Sequence, residues 1–94
     1  IDIEDLGFFK KGMGGNAARE GITHRNGEIP INPSGGLKSK GHPIGATGVG
    51  QVVEVFEQFT GLAGDRSVKD AETALTHNFG ATGASAAVHI FQKV

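Results

Sequence analysis

One histidine stands in a proline- and glycine-rich segment that could do acid–base chemistry. The segment reads GHPIGATGVG over residues 41–50 and places His42 directly before Pro43, among four glycines. Glycine lets the backbone approach a ligand closely or adopt a positive φ, and a following proline biases a residue toward an extended conformation. Imidazole titrates near neutral pH, so His42 could accept a proton or donate a hydrogen bond to a developing negative charge. The alternative is a glycine-rich turn whose histidine faces solvent.

An amphipathic helix is predicted directly after this segment, from Ile44 or Ala46 to Thr60. Its apolar residues recur at helical spacing and form one stripe, made of Val49, Val52, Val53, Phe56 and Phe59. The other side carries Gln51, Glu54, Glu57 and Gln58, and Gly61 is a typical helix end. Such a helix would aim its first N–H groups and its positive dipole end at the histidine turn. A thiolate, an oxyanion or a carbonyl oxygen would be stabilised there.

Shorter elements are predicted on both sides of this helix. Before it, the pattern indicates a helix end over residues 1–10, a helical turn from Asn16 to Glu20, a hairpin around Asn26-Gly27 and a loop over residues 32–43. After it, two β-like segments span residues 72–78 and 84–94. Residues 79–83 between them are too few for anything but a tight antiparallel connection. The whole indicates an α/β architecture with helices packed on a sheet.

The composition predicts a thin core. Glycine occupies 16 of 94 positions, the hydrophobic fraction is 37%, and neither Trp nor Tyr is present. Glycine buries no side chain and is costly to order, and a chain of this length buries a smaller fraction of its surface than a larger domain does. We therefore expect the chain not to be a self-sufficient folding unit. Ile1 opens the chain without a capping residue before it, so we expect a piece of a longer protein or a processed chain.

Cysteine content and charge exclude several classes of function. No cysteine is present, which excludes disulfides, thiolate metal sites and a cysteine nucleophile from this chain, and no metal site is predicted. The net charge of −1 provides no basic field for nucleic acid. No apolar run approaches the roughly 20 residues needed to span a bilayer, and residues 1–6 are unlike a signal peptide. These features favour a cytoplasmic location.

Two nucleotide-binding motifs are matched only in part. Residues 36–41 have the spacing of a phosphate loop, but His42-Pro43 follows where Lys-Ser/Thr should stand. Residues 45–50 are similar to a dinucleotide fingerprint, but no strand leads into them and the order of the spacings is reversed. A nucleotide-binding fragment is therefore a weak third hypothesis.

Taken together, these residues resemble a known family. NPSGGLKSKGHPIGATG (residues 32–48), the amphipathic helix and ALTHNFGATGASAAVHIF (residues 74–91) are similar to the C-terminal region of thiolases. The closer likeness is to the sterol-carrier-protein type and its archaeal acetyl-CoA acetyltransferase relatives. DIEDLGFFKKG (residues 2–12) resembles their lead-in to this region. The likeness implies that residues 1–94 are part of a thiolase-like C-terminal domain, with helices on a mixed sheet that ends in an antiparallel hairpin.

The resemblance also implies a mechanism. Thiolases join or cleave acyl-CoA by Claisen chemistry through an acyl-cysteine, so the implied substrate is a coenzyme A thioester and no covalently bound cofactor is expected. Gly41-His42-Pro43 matches the family's Gly-His-Pro, which places Gly41 at the substrate and gives His42 the activation of the cysteine and a hydrogen bond to the thioester oxygen. The remainder of the thiolase or a partner subunit must supply the cysteine. The isolated chain is expected to be inactive.

The last hairpin carries the remaining candidates. Classical thiolases have Cys-x-Gly near here, whereas this chain has His77-Asn78-Phe79-Gly80. The sterol-carrier type similarly has His-Asn-x-Gly and takes its acid/base cysteine from an earlier loop. By this likeness His77 and Asn78 are catalytic or line the site, and backbone N–H groups of Phe79 and Gly80 bind substrate in an oxyanion hole. The alternative for His77 is a strand-end histidine bonded to the backbone.

Other interpretations stay open beside the enzyme. The chain could belong to a non-catalytic thiolase-like subunit or to an acyl- or lipid-binding module, and a reactive cysteine upstream or on a partner would favour the enzyme. Thiolases generally form dimers or tetramers, which implies a homo-oligomeric parent. His24 is expected to be solvated, His89 to be structural, and Lys38 and Lys40 to lie in a solvated loop rather than against the anionic coenzyme.

Overall fold

A computed structural model of the chain describes residues 2–80 and 85–94. The chain divides into two compact units, Ile1–Pro33 and Ser34–Val94. Short helices and turns make up the first unit, whereas the second contains a long helix and two strands. Within the described ranges, every helix is too short or too polar to cross a membrane.

The first unit begins with two short helices. α1 spans Asp2–Asp5 and α2 spans Gly14–Arg19. The helix predicted over residues 1–10 is wrong in extent, because Gly7 adopts a φ of +88° and the chain leaves the helix after one turn. Residue 1 of that prediction lies outside the described residues. The helical turn predicted from Asn16 to Glu20 is confirmed by α2.

The Asn26-Gly27 pair reverses the chain, but the strands predicted beside it are wrong. The Gly27 N–H donates to the His24 carbonyl oxygen at 2.7 Å, and the Ile29 N–H donates to the Ile22 carbonyl oxygen at 3.0 Å. Between Ile22 and Ile29, a stretch described in full, no residue is in a strand and none has the positive φ of a two-residue hairpin turn. A Cβ at Gly27 would collide with the Ile22 carbonyl oxygen. Close packing of two backbone segments therefore explains this glycine.

The second unit is built around a long helix. α3 spans Leu37–Lys40, α4 spans Thr47–Thr60, and a single 3₁₀ turn spans Gly64–Arg66. The predicted long helix is confirmed as α4, including its end, where Gly61 adopts a left-handed φ of +79°. The loop predicted over residues 32–43 is corrected in its middle, where the backbone hydrogen bonds of α3 close one helical turn.

Two strands form an antiparallel hairpin at the end of this unit. β1 spans Thr73–Phe79 and β2 spans Ala86–Gln92, and the strands are paired along their whole length. Both predicted β-segments and their antiparallel pairing are confirmed, and together with the helices they confirm the α/β fold class. Residues 81–84, which include most of the predicted connection, lie outside the described residues.

The apolar stripe of α4 faces outward. The exposed fraction is 67% for Val49, 44% for Val52, 49% for Val53 and 60% for Phe56. An apolar stripe ordinarily faces the core of a globular protein. Among the described residues the buried apolar side chains are Ala17 and Ala63, so the thin core expected from the composition is confirmed.

The polar side of α4 makes the contacts to the rest of its unit. Arg66 Nε lies 3.2 Å from Glu54 Oε1, and Arg66 Nη2 lies 2.8 Å from Glu57 Oε1. Gln58 Nε2 donates to the Arg66 carbonyl oxygen at 2.9 Å, and the Val68 N–H donates to Gln58 Oε1 at 2.9 Å. Hydrogen bonds and ion pairs, rather than apolar burial, therefore hold α4 to the segment that leads into β1.

Candidate active site

The turn that begins at Gly41 holds the His42 ring against the start of α4. Gly41 has a φ of +82°, which favours glycine, and its N–H donates to the Leu37 carbonyl oxygen at 2.8 Å to close α3. His42 is an exposed residue, yet its ring is anchored, because Nδ1 lies 2.7 Å from the hydroxyl oxygen of Thr47. Nε2 is therefore the ring nitrogen that can act on a ligand.

Thr47 connects this histidine to the backbone of its own turn. Thr47 is only 5% exposed, and its hydroxyl oxygen lies 3.2 Å from the Pro43 carbonyl oxygen as well as 2.7 Å from the ring. The same carbonyl oxygen accepts the N–H groups of Ala46 and Thr47 at 2.8 and 2.9 Å. The His42 ring is thus fixed to the first residue of a 14-residue helix, at its positive dipole end.

The start of α4 also holds Asn78, near the end of β1. Asn78 Nδ2 donates to Gln51 Oε1 at 2.6 Å, and Gln51 Nε2 donates to the His77 carbonyl oxygen at 3.2 Å. Gly48 lets the strand come close, since a Cβ at this position would lie 3.1 Å from Asn78 Nδ2. His42 and Asn78 are therefore held by neighbouring residues at the same end of α4.

The His77 ring lies on the other face of β1. Successive side chains of a strand point to opposite faces, so the side chains of His77 and Phe79 share the face opposite to Asn78. The His77 and Phe79 rings are neighbours there, with centroids 5.5 Å apart and an interplanar angle of 39°. The structure thus brings Asn78, but not the His77 ring, to the helix that holds His42. On the α4 side, His77 presents its carbonyl oxygen.

The two amides predicted for an oxyanion hole differ in their bonding. The Gly80 N–H donates to the Ser85 carbonyl oxygen at 2.8 Å, in continuation of the hairpin ladder. Hydrogen-bonded and non-hydrogen-bonded pairs alternate along such a ladder, so Phe79 directs its N–H away from β2, to the edge at which Gln51 binds the His77 carbonyl. An open depression beside these amides is lined by Asn78, Phe79, Gly80, Ser85, Ala86 and Ala87. Phe79 is therefore the amide of the two that is oriented toward a new acceptor.

Thr47 and Gln51 belong to the site although the sequence pattern did not indicate them. The helical pattern gives Thr47 no role and assigns Gln51 to a polar side. A signal for Thr47 exists, since a hydroxyl at the first position of a helix can reach back to a histidine in the preceding turn. Gln51 has no comparable signal, because a glutamine on a polar helix side is commonly solvated.

The other basic side chains have simpler surroundings, with one exception. His24 is exposed, and its Nδ1 accepts the Asn26 N–H at 3.2 Å. His89 is exposed on β2. Lys40 ends α3 instead of lying in a loop, and its ammonium group is near α4, since a Cβ at Gly50 would lie 3.7 Å from Nζ.

Comparison with known proteins decides the family. A sequence profile described as thiolase C-terminal domain-like matches residues 1–93. The chain belongs to the thiolase family. The resemblance predicted from the glycine- and histidine-rich motifs is thereby confirmed, and the site described above lies within the matched thiolase region.

The relatives of this thiolase chain carry two kinds of name. It is 57% identical over 93 residues to an acetyl-CoA acetyltransferase of Methanothermobacter thermautotrophicus, covering 99% of this chain and 24% of that protein. It is 49% identical over 84 residues to sterol carrier protein 2 of Bos taurus, covering 89% of this chain and 16% of that protein. An acetyl-CoA acetyltransferase of Methanocaldococcus jannaschii is 40% identical over 98 residues, which cover 96% of this chain and 24% of that protein. The chain thus spans a quarter or less of the length of these relatives.

Proposed function

We propose that this chain supplies the histidine part of a thiolase active site, which condenses or cleaves acyl-CoA through an acyl-cysteine carried by another segment or subunit. The anchored His42 ring carries the proposal, because Nδ1 is held by Thr47 and Nε2 is left for the reacting group. An imidazole in this position takes the proton of a thiol. In condensation the resulting thiolate attacks the thioester carbonyl carbon, the bond from that carbon to the coenzyme A sulfur breaks, and the departing sulfur takes the proton back from the ring. In cleavage the thiolate attacks the 3-oxo carbon instead, the C2–C3 bond breaks, and C2 takes a proton from the acid/base cysteine that the resemblance places outside this chain. The coenzyme A thioester is the substrate.

In this proposal, the negative charges that form on the thiolate and on the thioester oxygen are stabilised by groups of this chain. The thiolate lies at the positive dipole end of α4, and the thioester oxygen accepts hydrogen bonds from the protonated ring and from the Phe79 N–H. Asn78 lines the same site, held by Gln51. Gly80 can donate its N–H to the substrate only if its hydrogen bond to the Ser85 carbonyl oxygen breaks. His77 contributes through its carbonyl oxygen, since its ring shares the opposite face with Phe79.

The proposal requires another protein surface. The chain has no cysteine, and its α4 stripe is exposed along one helix face. Contiguous exposed apolar surface is typical of an interaction site, which supports burial of the stripe against the remainder of a thiolase or a partner subunit. A homo-oligomeric parent rests on the family likeness alone.

A chimera tests the proposal. The matching 93 residues of the Methanothermobacter acetyl-CoA acetyltransferase are replaced by this chain, to which that segment is 57% identical. Cleavage of acetoacetyl-CoA by coenzyme A is then measured for the chimera and for the isolated chain. We expect activity from the chimera alone, and a loss of about 10²- to 10⁴-fold on His42→Asn, the usual range for a general base. The His24→Asn variant is the matched control. Activity in the isolated chain, or an undiminished rate after His42→Asn, would refute the proposal.

A binding module is the second candidate function. Sterol carrier protein 2 of Bos taurus and a non-specific lipid-transfer protein-like 2 of Caenorhabditis elegans are 49% and 45% identical to this chain, and those names favour it. In that case the chimera would bind an acyl-CoA without cleaving it, and His42→Asn would leave the affinity unchanged. Calorimetric titration of both proteins with acetoacetyl-CoA separates the two functions.

A further inference from the structure

We propose that Thr47 is a positioning residue that fixes His42 in one tautomer, with the proton on Nδ1 and the lone pair on Nε2. The catalytic use of this tautomer rests on the proposed function. The tautomer itself rests only on hydrogen bonds between residues of this chain, so the two can be tested separately.

The number of hydrogens selects the tautomer. A threonine hydroxyl has one hydrogen to donate and can also accept. The Thr47 hydroxyl has two partners in its turn, His42 Nδ1 at 2.7 Å and the Pro43 carbonyl oxygen at 3.2 Å. A carbonyl oxygen can only accept, so the hydroxyl hydrogen goes to Pro43 and the ring must donate through Nδ1–H. With the proton on Nε2, the hydroxyl would have to donate to the ring and would lose the Pro43 contact.

Burial makes this difference matter. Thr47 is 5% exposed, so water does not readily replace a hydrogen bond that its hydroxyl loses, and an unmade bond in a buried place is costly. The Pro43 carbonyl oxygen also accepts two backbone N–H groups at the helix start. These bonds hold that oxygen within reach of the hydroxyl, and the hydroxyl keeps both of its partners only when its hydrogen points to Pro43 and its lone pair to the ring.

The selected tautomer is the one that a general base needs. When His42 deprotonates the cysteine, the thiol S–H bond breaks, its electron pair stays on sulfur, and the proton forms a new N–H bond at His42 Nε2. The Nδ1–H of the resulting imidazolium continues to donate to the Thr47 hydroxyl. The opposite tautomer already carries a proton on Nε2 and could not take another there.

The chain contains an internal control with the opposite arrangement. At His24, Nδ1 accepts the backbone N–H of Asn26 at 3.2 Å. A nitrogen that accepts a hydrogen bond carries no proton, so neutral His24 has its proton on Nε2. One chain should therefore show both tautomers, one at each of these two histidines.

Nitrogen-15 NMR of the histidine rings tests the proposal on the chimera. Two-bond ¹H–¹⁵N correlation spectra distinguish a protonated ring nitrogen from a bare one, and His42→Asn and His24→Asn assign the signals. With both rings neutral, we expect a protonated Nδ1 at His42 and a protonated Nε2 at His24. A protonated Nε2 at His42 in the wild-type protein overturns the proposal, even if every variant fails to fold.

Two substitutions at the same position isolate the hydroxyl. Thr47→Val keeps the shape and removes the hydroxyl, so His42 should lose its fixed tautomer while His24 keeps its own. Thr47→Ser should restore the wild-type pattern. In the chimera, Thr47→Val should slow acetoacetyl-CoA cleavage on the order of ten- to hundredfold, by analogy with the groups that orient a metal-bound histidine. A tautomer at His42 that is unchanged by Thr47→Val contradicts the proposal, whereas an inactive chimera with the expected tautomers contradicts only the proposed function.

Discussion

The two sides of α4 are organised in opposite ways. The polar side is bonded residue by residue, with Thr47 and Gln51 at the histidine end and Gln58 two turns later. The apolar side is uncovered, and Phe56 at its centre is 60% exposed. The bonded side arranges residues of a site, whereas the exposed side leaves the core incomplete.

This difference shows that geometry and stability come from different parts of the molecule. Hydrogen bonds fix directions but contribute only about 0.5–1.5 kcal/mol each in net terms. Apolar burial contributes most of the free energy of folding, and among the described residues of this chain little of it occurs. The chain therefore carries a positioned histidine, whereas little of the apolar burial that stabilises a fold occurs among its described residues.

The largest effect on stability is expected on the exposed side. In the chimera, Phe56→Ala should cost about 3–5 kcal/mol if the stripe is buried there, but no more than about 0.5 kcal/mol if the stripe stays exposed, as for other surface substitutions. Urea unfolding of the chimera and of its variant measures the difference, with Lys69→Ala, an exposed site outside α4, as the control. An effect of Phe56→Ala no larger than that of Lys69→Ala would mean that the stripe stays uncovered.

An intermediate effect is expected on the bonded side. Gln51→Ala removes a hydrogen bond to the His77 carbonyl oxygen and one from Asn78, and should cost about 1–3 kcal/mol. Gln58→Ala is the matched control, since it removes similar contacts to Arg66 and Val68 farther along α4. Only Gln51→Ala should shift the Asn78 side-chain amide signals in NMR spectra. A shift of equal size in both variants would contradict a specific hold on Asn78.

The smallest effect on stability is expected in the first unit, where the half-buried Glu4 carboxylate contributes to the free energy of folding. Backbone N–H groups of Gly12 and Gly14 lower the pKa of Glu4, and the Gly14 bond measures 2.8 Å. Because the folded pKa is depressed, this contribution to stability is complete above the ordinary glutamate value of about 4.3. It is lost as the pH falls through the lower, folded value.

The Gly14 amide shift should therefore titrate with a midpoint below the ordinary glutamate pKa. Glu4→Gln should abolish that titration, and Glu20→Gln, at an exposed position, should leave it in place. A midpoint at or above the ordinary value would show that the ionised carboxylate does not hold these amides.

Hydrophobic periodicity and sequence motifs predicted which helices and strands form, but they predicted less well what each element packs against. The spacing of Val49, Val52 and Phe56 predicted α4, but periodicity alone does not tell which surface covers a stripe. The glycines and the His42-Pro43 pair indicated a functional turn, because few other arrangements need such backbone freedom. The role of Gln51 depends on a strand brought to it by folding, so local spacing gave no sign of it, whereas Thr47 lies five residues after His42 and that spacing carries a signal.

Alkylation of the reactive cysteine in the chimera tests the central claim most directly, since it reports the thiolate that His42 is proposed to create. Iodoacetamide reaction rates are measured across pH for the wild-type chimera and for His42→Asn. We predict that His42 lowers the apparent pKa of the thiol below its ordinary value of about 8.5. At pH 7 the variant should react at least about tenfold more slowly, which corresponds to one pKa unit. Superimposable rate profiles for the two proteins would contradict the claim.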